Sequence, residues 1–500
     1  MKAVSFTDPN IHATAAFEVN DVWVDAPALT PEEVDSILSS LHQNTMNYYH
    51  GRRSAFQTLE QAFRLWGQSD YPLRKAALPV LSELTQFSIE NLTSFGLAPL
   101  GNLRFESMPG LHRHLRELIE TKRYKEFTRW GDGYLKGYGT AKVVEHDPPQ
   151  RILQILAGNV VGPTWISACL GALAEVPQVI KLPQRDITSF MYFLQTLGEL
   201  TPEFRSTIAC GYFPGNNGVT EQFLKEFDFV IAMGADGTMQ KIRGQLARVN
   251  PHARLISHGL KISFQVISKE YATPEVAELA AWGIVAFDGN GCFSPANLYV
   301  EEGGKLDPGQ FARKLAEALQ DLSTLIPPKK NLLAAEKVAK YRNGQVQRKL
   351  LGEDIEILKS KNTDYTVIVD RHDPRLTPTC QERAVTVKPI DDLSKVAGYV
   401  GHLSDNLQTA GLAVPTDLLL EFSEGLGDVG VTNFKIIGTE YLIDLAEPHD
   451  GIFDTQQLFM SDDLRWTSLG FSDTDAAIEA ALQMKANSLA KAQDTILAYS

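Results

Sequence analysis

Cysteine is scarce: the 500 residues hold only Cys169, Cys210, Cys292 and Cys380. They lie far apart, with no Cys-x-x-Cys pair and no histidine at zinc-ligand spacing, which argues against a disulfide framework or a structural zinc and for a reducing, cytoplasmic setting. An excess of positive charge is missing too. The 47 Lys and Arg against 61 Asp and Glu leave a net charge of -14, so a sequence-independent grip on nucleic acid is not expected. Nor is there a long apolar run. The stretch Val160 to Ala174 covers 15 residues and contains Gly162 and Pro163, short of the roughly 20 residues that cross a bilayer; it reads as a buried helix after a turn. The amino terminus lacks the apolar core of a secretory signal. There is no repeat, heptad array or low-complexity tract, and the nearest thing to a linker is Ile-Pro-Pro-Lys-Lys at 326–330.

Five hundred residues exceed what one hydrophobic core organises, so two or three domains are expected. Thr30-Pro31-Glu32-Glu33 supplies an N-cap, a proline at the first helical position and a capping-box glutamate for a helix through Leu41. Further helical patterns run to about residue 130, their apolar positions reading as core contacts with no visible chemistry. The middle third alternates apolar strands with amphipathic helices: Ile152 to Ala157, Val179 to Leu182 and Phe229 to Met233 are each followed by a turn and a helix. Such βαβ traffic makes a mostly parallel sheet that binds ligands at the carboxyl ends of its strands. There the sequence puts Asn159, then Lys181 with Gln184 and Arg185, then Gly234-Ala235-Asp236-Gly237. Strands are expected again at 254–256 and 261–267, and a second α/β unit continues through a helix at 308–322 and strands at 365–370 and 385–390.

Cys292 stands between the turn-forming Asp288-Gly289-Asn290-Gly291 and the apolar run from Ala296. Two readings fit it. A thiol nucleophile needs such an approachable setting, with glycines that let backbone N–H groups reach a developing oxyanion; a buried structural cysteine is the other. Cys169 reads as core, while Cys210 and Cys380 show no chemistry. The glycine turn at 234–237 suits an anion at a helix N-terminus, or serves geometry alone. His258 and His449 are either proton donors or hydrogen-bonded structural residues.

The order Gly158-Asn159, Lys181, the glycine turn and Cys292 resembles the aldehyde dehydrogenase superfamily, which spaces an oxyanion-hole asparagine, a cofactor lysine, a pyrophosphate turn and a catalytic cysteine at similar intervals. Here these are 133 residues from Asn159 to Cys292 (292 - 159) and 111 from Lys181 (292 - 181). Ala157-Gly-Asn-Val160, Ser257-His-Gly-Leu-Lys-Ile-Ser-Phe264, Gly291-Cys-Phe-Ser-Pro295 and Pro448-His-Asp-Gly451 bring the closer likeness, to acyl-CoA reductases of the LuxC type. The oxidising dehydrogenases carry a water-activating glutamate four residues before the lysine of a Glu-Leu-Gly-Gly-Lys motif. The matching residue before Lys261 is Ser257, so an acyl-enzyme would escape hydrolysis and go to aldehyde. NAD-preferring members have a glutamate where this chain has Gln184, followed by Arg185, which implies NADPH.

The resemblance implies an aldehyde-dehydrogenase-like α/β fold of two Rossmann-like domains with a small β oligomerisation element. Residues 1–257 would form a helical region and the cofactor domain, with a possible oligomerisation hairpin at 131–150; residues 258–455 the catalytic domain; and 456–500 a segment packing back on the cofactor domain or a dimer partner. The implied activity is NADPH-dependent reduction of a fatty acyl thioester, acyl-CoA or acyl-protein, to the aldehyde through S-acyl Cys292. Asn159 and His258 would assist, and Lys181, Gln184, Arg185, Gly234, Ala235 and Asp236 would hold the cofactor, with no metal. A homodimer or higher homo-oligomer is implied, and an acyltransferase or synthetase is a candidate partner. Alternatives are another acyl reducer, a CoA-acylating aldehyde dehydrogenase, or a non-catalytic scaffold subunit of an acyl-processing complex.

Overall fold

The computed structural model describes all residues except 1–13, 20–21, 28, 51–54, 104–107, 146, 148, 214–217, 330, 446, 459 and 498–500. A short antiparallel hairpin, β1 (Thr14–Val19) and β2 (Val22–Pro27), precedes the helices Pro31–His50, Ala55–Gly67 and Pro72–Thr85. The Ala55–Gly67 helix buries Leu59, Phe63 and Trp66, the spacing of one helical face. A second hairpin, β3 (Thr128–Trp130) and β4 (Gly133–Glu145), turns at Gly131, whose φ of +57° a side chain would resist.

The alternation read from the middle third produces β5 (Ile152–Ile155), β6 (Gln178–Lys181), β7 (Ile208–Gly211), β8 (Phe229–Met233) and β9 (Arg254–His258), paired in the order β7-β6-β5-β8-β9, all parallel. Covered on both faces, β5 is buried throughout, which is why it reads as a continuous apolar run. Two local expectations differ from the structure. The segment expected as a helix over 164–174 is a 3-10 turn, Pro163–Ser167, followed by the helix Ala168–Ala174. Gly162 sits at φ +95° and its carbonyl accepts from the Trp165 N–H at 2.8 Å, so the chain enters in a tighter coil. Strand β7, Ile-Ala-Cys-Gly, is not foreseen from the sequence, and its parallel pairing with β6 defines it.

The second unit contains β10 (Ile262–Ile267), β11 (Pro295–Glu301), β12 (Ile355–Lys359), β13 (Thr366–Asp370), β14 (Ala384–Ile390), β15 (Leu407–Ala413), β16 (Asn433–Ile436) and β17 (Met460–Leu469). Their order is β12-β13-β14-β11-β10-β15-β16-β17-β4-β3, so the β3/β4 hairpin extends this sheet through antiparallel pairing of β4 with β17. The C-terminal helix Thr474–Leu497 is tied to the helix Pro274–Val285 by the pair Lys485 and Glu278 at 2.8 Å. Only Gly259, Leu260 and Lys261 separate β9 from β10. The carboxyl edge of the five-stranded sheet therefore faces the amino edge of the larger one, and the site lies between them. No described helix is long and apolar enough to cross a membrane.

Candidate active site

Cys292 lies just ahead of β11, after a loop that runs through three left-handed residues, Phe287 (φ 49°), Asp288 (φ 52°) and Gly289 (φ 73°). Two of these carry side chains, which costs about 1 to 2 kcal/mol each, so the surroundings must hold the loop. Arg383, itself buried, donates from Nε to Asp288 Oδ1 at 2.8 Å and from its backbone N–H to the Asp288 carbonyl at 3.0 Å. Ser263 Oγ donates to the Cys292 carbonyl at 2.7 Å, pinning the Cys292 loop to β10. Cys292 is half-buried, whereas Cys169 and Cys210 are buried and their thiols are pushed well up by burial.

Asn159 Nδ2 donates to the Asn290 carbonyl at 3.1 Å. Asn290 is two residues from Cys292, a span of at most about 7 Å, so tertiary folding brings together the asparagine and the cysteine singled out in the sequence. The amide has a second N–H to offer a ligand. Burial and then Asp450 push the Cys292 thiol up to about 11, against hydrogen bonds from Gln408 and the Phe293 backbone. The surroundings of the sulfur thus disfavour the thiolate in the free protein.

His258 ends β9 and is buried between two carboxylates: Nδ1 lies 3.0 Å from Asp450 Oδ2 and Nε2 3.2 Å from Asp454 Oδ1. Burial alone would strip its proton, but Asp454 and Asp450 reverse that and raise its pKa to about 10. Burial likewise opposes charge on the two carboxylates. His449 with His258 nevertheless keeps Asp450, and His258 foremost keeps Asp454, well below the usual carboxylate range. Gln408 Nε2 donates to Asp450 Oδ1 at 2.5 Å, so the ion pair reaches the sulfur through Gln408. The ring of His449 stacks on that of His258 at 3.7 Å and 12°. Donor atoms of His258, His449 and Asp454 lie within 4.8 Å of one another, yet stacked imidazoles point their in-plane lone pairs side by side and do not converge on one ion about 2.1 Å away. The arrangement suits two rings sharing a carboxylate. Asp450 stood unremarked in the Pro448-His-Asp-Gly451 stretch. Gln408 lies on β15 and Asp454 in a short helix, neither foreseen, and no local signal marks them.

On the other wall, Lys181 ends β6 half-buried, its Nζ 5.0 Å from the Phe213 ring centre and 5.8 Å from that of Tyr212. Gln184 and Arg185 are exposed beside it. Arg185 packs close to Gly158: a Cβ there would lie 3.2 Å from Arg185 Cβ. Gly234 leads into exposed Ala235 and Asp236, where the helix Asp236–Val249 starts. Asp236 Oδ1 accepts from the Leu260 N–H at 2.8 Å, so this carboxylate holds the link between the sheets. Ser257 Oγ accepts from Arg243 at 3.1 Å and carries no charge to activate water. Open space over Gly237 at the helix N-terminus, with a half-buried lysine two strands away along the same sheet edge, fits a dinucleotide phosphate.

The sequence pattern of the acyl-CoA reductase (LuxC) family matches residues 54–461. The long-chain acyl-protein thioester reductase of Vibrio harveyi is 22% identical over 370 residues, which cover 73% of this chain and 72% of that protein. Among solved structures, the aldehyde dehydrogenase KauB from Pseudomonas aeruginosa superposes with a TM-score of 0.62 at 12% identity, covering 91% of this chain and 93% of its own. The Δ-pyrroline-5-carboxylate dehydrogenase from Mycobacterium tuberculosis bound with NAD gives 0.58 at 12% identity, covering 92% and 88%. The fold is that of the aldehyde dehydrogenases, two α/β units with an added antiparallel element.

Proposed function

Because the chain belongs to the acyl-CoA reductase (LuxC) family, we propose that it reduces a fatty acyl thioester to the aldehyde, with NADPH as reductant and Cys292 as the residue that carries the acyl group. The observation that carries this reading is the meeting of the Asn159 amide with the Cys292 loop, together with a serine, Ser257, and no glutamate at the position where the oxidising dehydrogenases carry their water-activating residue. A bound reduced nicotinamide would supply hydride. Lys181, Arg185 and the backbone at Gly234, Ala235 and Asp236 would hold its phosphates, with Gln184 placing no negative charge against a 2′-phosphate.

Cys292 Sγ attacks the acyl carbon as its proton passes to the departing thiol of the donor, with Gln408 joining the sulfur to the His258 and Asp450 pair behind it. Asn159 Nδ2 and the Cys292 backbone N–H stabilise the oxyanion, a contribution of about 3 to 4 kcal/mol per donor. With no carboxylate at 257 to activate water, the S-acyl group persists until it is reduced. When the C–S bond of the thiohemiacetal breaks, the sulfur takes a proton from the His258 and Asp450 pair, which refills from solvent.

Incubation with radiolabelled long-chain acyl-CoA tests the reading. Wild-type protein should take up thioester-linked label that NADPH chases into aldehyde, and Cys292→Ala should take up none. Label retained by Cys292→Ala would refute the assignment, and absence of NADPH oxidation, alone or with an acyltransferase or synthetase, would favour a scaffold role.

A further inference from the structure

The helical region before residue 104 touches both halves of the site through one turn. Leu92–Leu97 is π-helical, with the Ala98 N–H donating to the Thr93 carbonyl five residues back. Such turns are rare and widen a helix locally. At its start, buried Asn91 reaches into the nucleophile loop: Nδ2 donates to the Val285 carbonyl at 2.9 Å and to Asp288 Oδ1 at 3.2 Å, and Oδ1 accepts from the Phe287 N–H at 3.1 Å. One side chain thus satisfies the backbone on either side of the bend where the left-handed run begins. At the far end of the turn, Gly96 meets the segment that follows Asn159. A Cβ on Gly96 would lie 3.0 Å from the Val161 carbonyl oxygen and 3.7 Å from the Phe287 ring, and one on Gly162 would lie 2.3 Å from the Gly96 carbonyl oxygen. The two backbones touch because neither glycine has a side chain.

We propose that this π-helical turn is a clamp that sets the separation of Asn159 and Cys292, with Asn91, Gly96 and Gly162 as positioning residues for the reduction. The inference rests on the roles proposed above for Asn159 and Cys292. Asn91 governs where the thiol stands and Gly96 with Gly162 governs where the amide stands, while a single rigid turn joins the two. The clamp contacts the loops at their backbone and so acts through them on the oxyanion geometry.

The test compares wild-type protein with Asn91→Ala and Gly96→Ala by three readouts: thermal midpoint, alkylation of Cys292 by iodoacetamide, and turnover of long-chain acyl-CoA with NADPH. Alkylation needs the sulfur but no oxyanion hole, so it should proceed at the wild-type rate. The kcat should fall roughly 100-fold, as expected for a displacement near 1 Å, with KM little changed. Alanine is the better helix former, so a Gly96→Ala protein that keeps its midpoint and loses kcat separates positioning from folding. Should Asn91→Ala not fold, Gly96→Ala decides alone. Unchanged kcat in folded variants of a wild-type protein that acylates Cys292 overturns the clamp only; a wild-type Cys292 that is never acylated overturns the functional reading and the clamp with it.

Discussion

At Lys181 two effects push in one direction: burial first, then the nearby Lys241, both disfavouring the ammonium and lowering its pKa to about 8. Its charge is present below that pH and is lost as pH rises through it. A phosphate held by this side chain should follow. NADPH affinity, measured by fluorescence titration, should weaken about tenfold, or ~1.4 kcal/mol, between pH 7 and 9.5, and Lys181→Gln should bind weakly with no such dependence. A wild-type Kd that stays level over that range would remove Lys181 from the cofactor site. The sequence placed Lys181 at a strand end with a resemblance to guide its role. It held no hint of Lys241, which lies on the helix after β8 and meets Lys181 only across the sheet edge.

Among the secondary-structure elements, those with strong local signals lie close to where periodicity and turn chemistry put them. The helix expected over 308–322 runs Pro308–Leu325, started by a capping box in which Asp307 accepts from the Gln310 N–H at 2.9 Å and Gln310 accepts from the Asp307 N–H at 3.0 Å. Asp307→Ala should cost about 1 kcal/mol, read as a lower urea midpoint with turnover per folded molecule unchanged; no shift would show that the cap is idle. Elements without a local signal behaved otherwise. The helices before residue 130 looked like core and nothing more, yet their π-helical turn grips both loops of the site. A helix face that packs on a catalytic loop buries the same apolar residues as one that packs on anything else.

Across the whole molecule, the His258 cluster spans the junction of the two sheets, since His258 ends β9 while Asp450 lies 192 residues away and Asp454 196. The sign of its pH dependence follows from the shifts. The pKa of His258 is raised above its unfolded value of 6.5, so that contribution is complete below 6.5 and is lost as pH rises through about 10. Asp450 and Asp454 are depressed, so theirs is present above the ordinary carboxylate pKa and lost as pH falls. His258→Gln leaves one buried and one partly buried carboxylate without their cation and should cost about 3 to 5 kcal/mol near pH 7. In urea unfolding, the gap between wild type and variant should narrow between pH 8 and 10.5. A gap that stays constant over that interval would mean the imidazole is not charged in the folded state.

The amino-acid order alone determined the α/β class, the run of buried parallel strands, and a cysteine in a glycine-rich turn. Each of these is written in local periodicity, composition or turn chemistry over a few neighbouring residues. Only the tertiary structure decided that burial opposes a Cys292 thiolate, that two carboxylates favour a charged His258, that Gln408, Asp450 and Asp454 stand beside the site, and that Asn91 and Gly96 touch its two loops. Protonation and loop placement depend on Coulombic and steric contacts that fall off over a few ångströms, and here those contacts join residues that are scores to hundreds of positions apart along the chain.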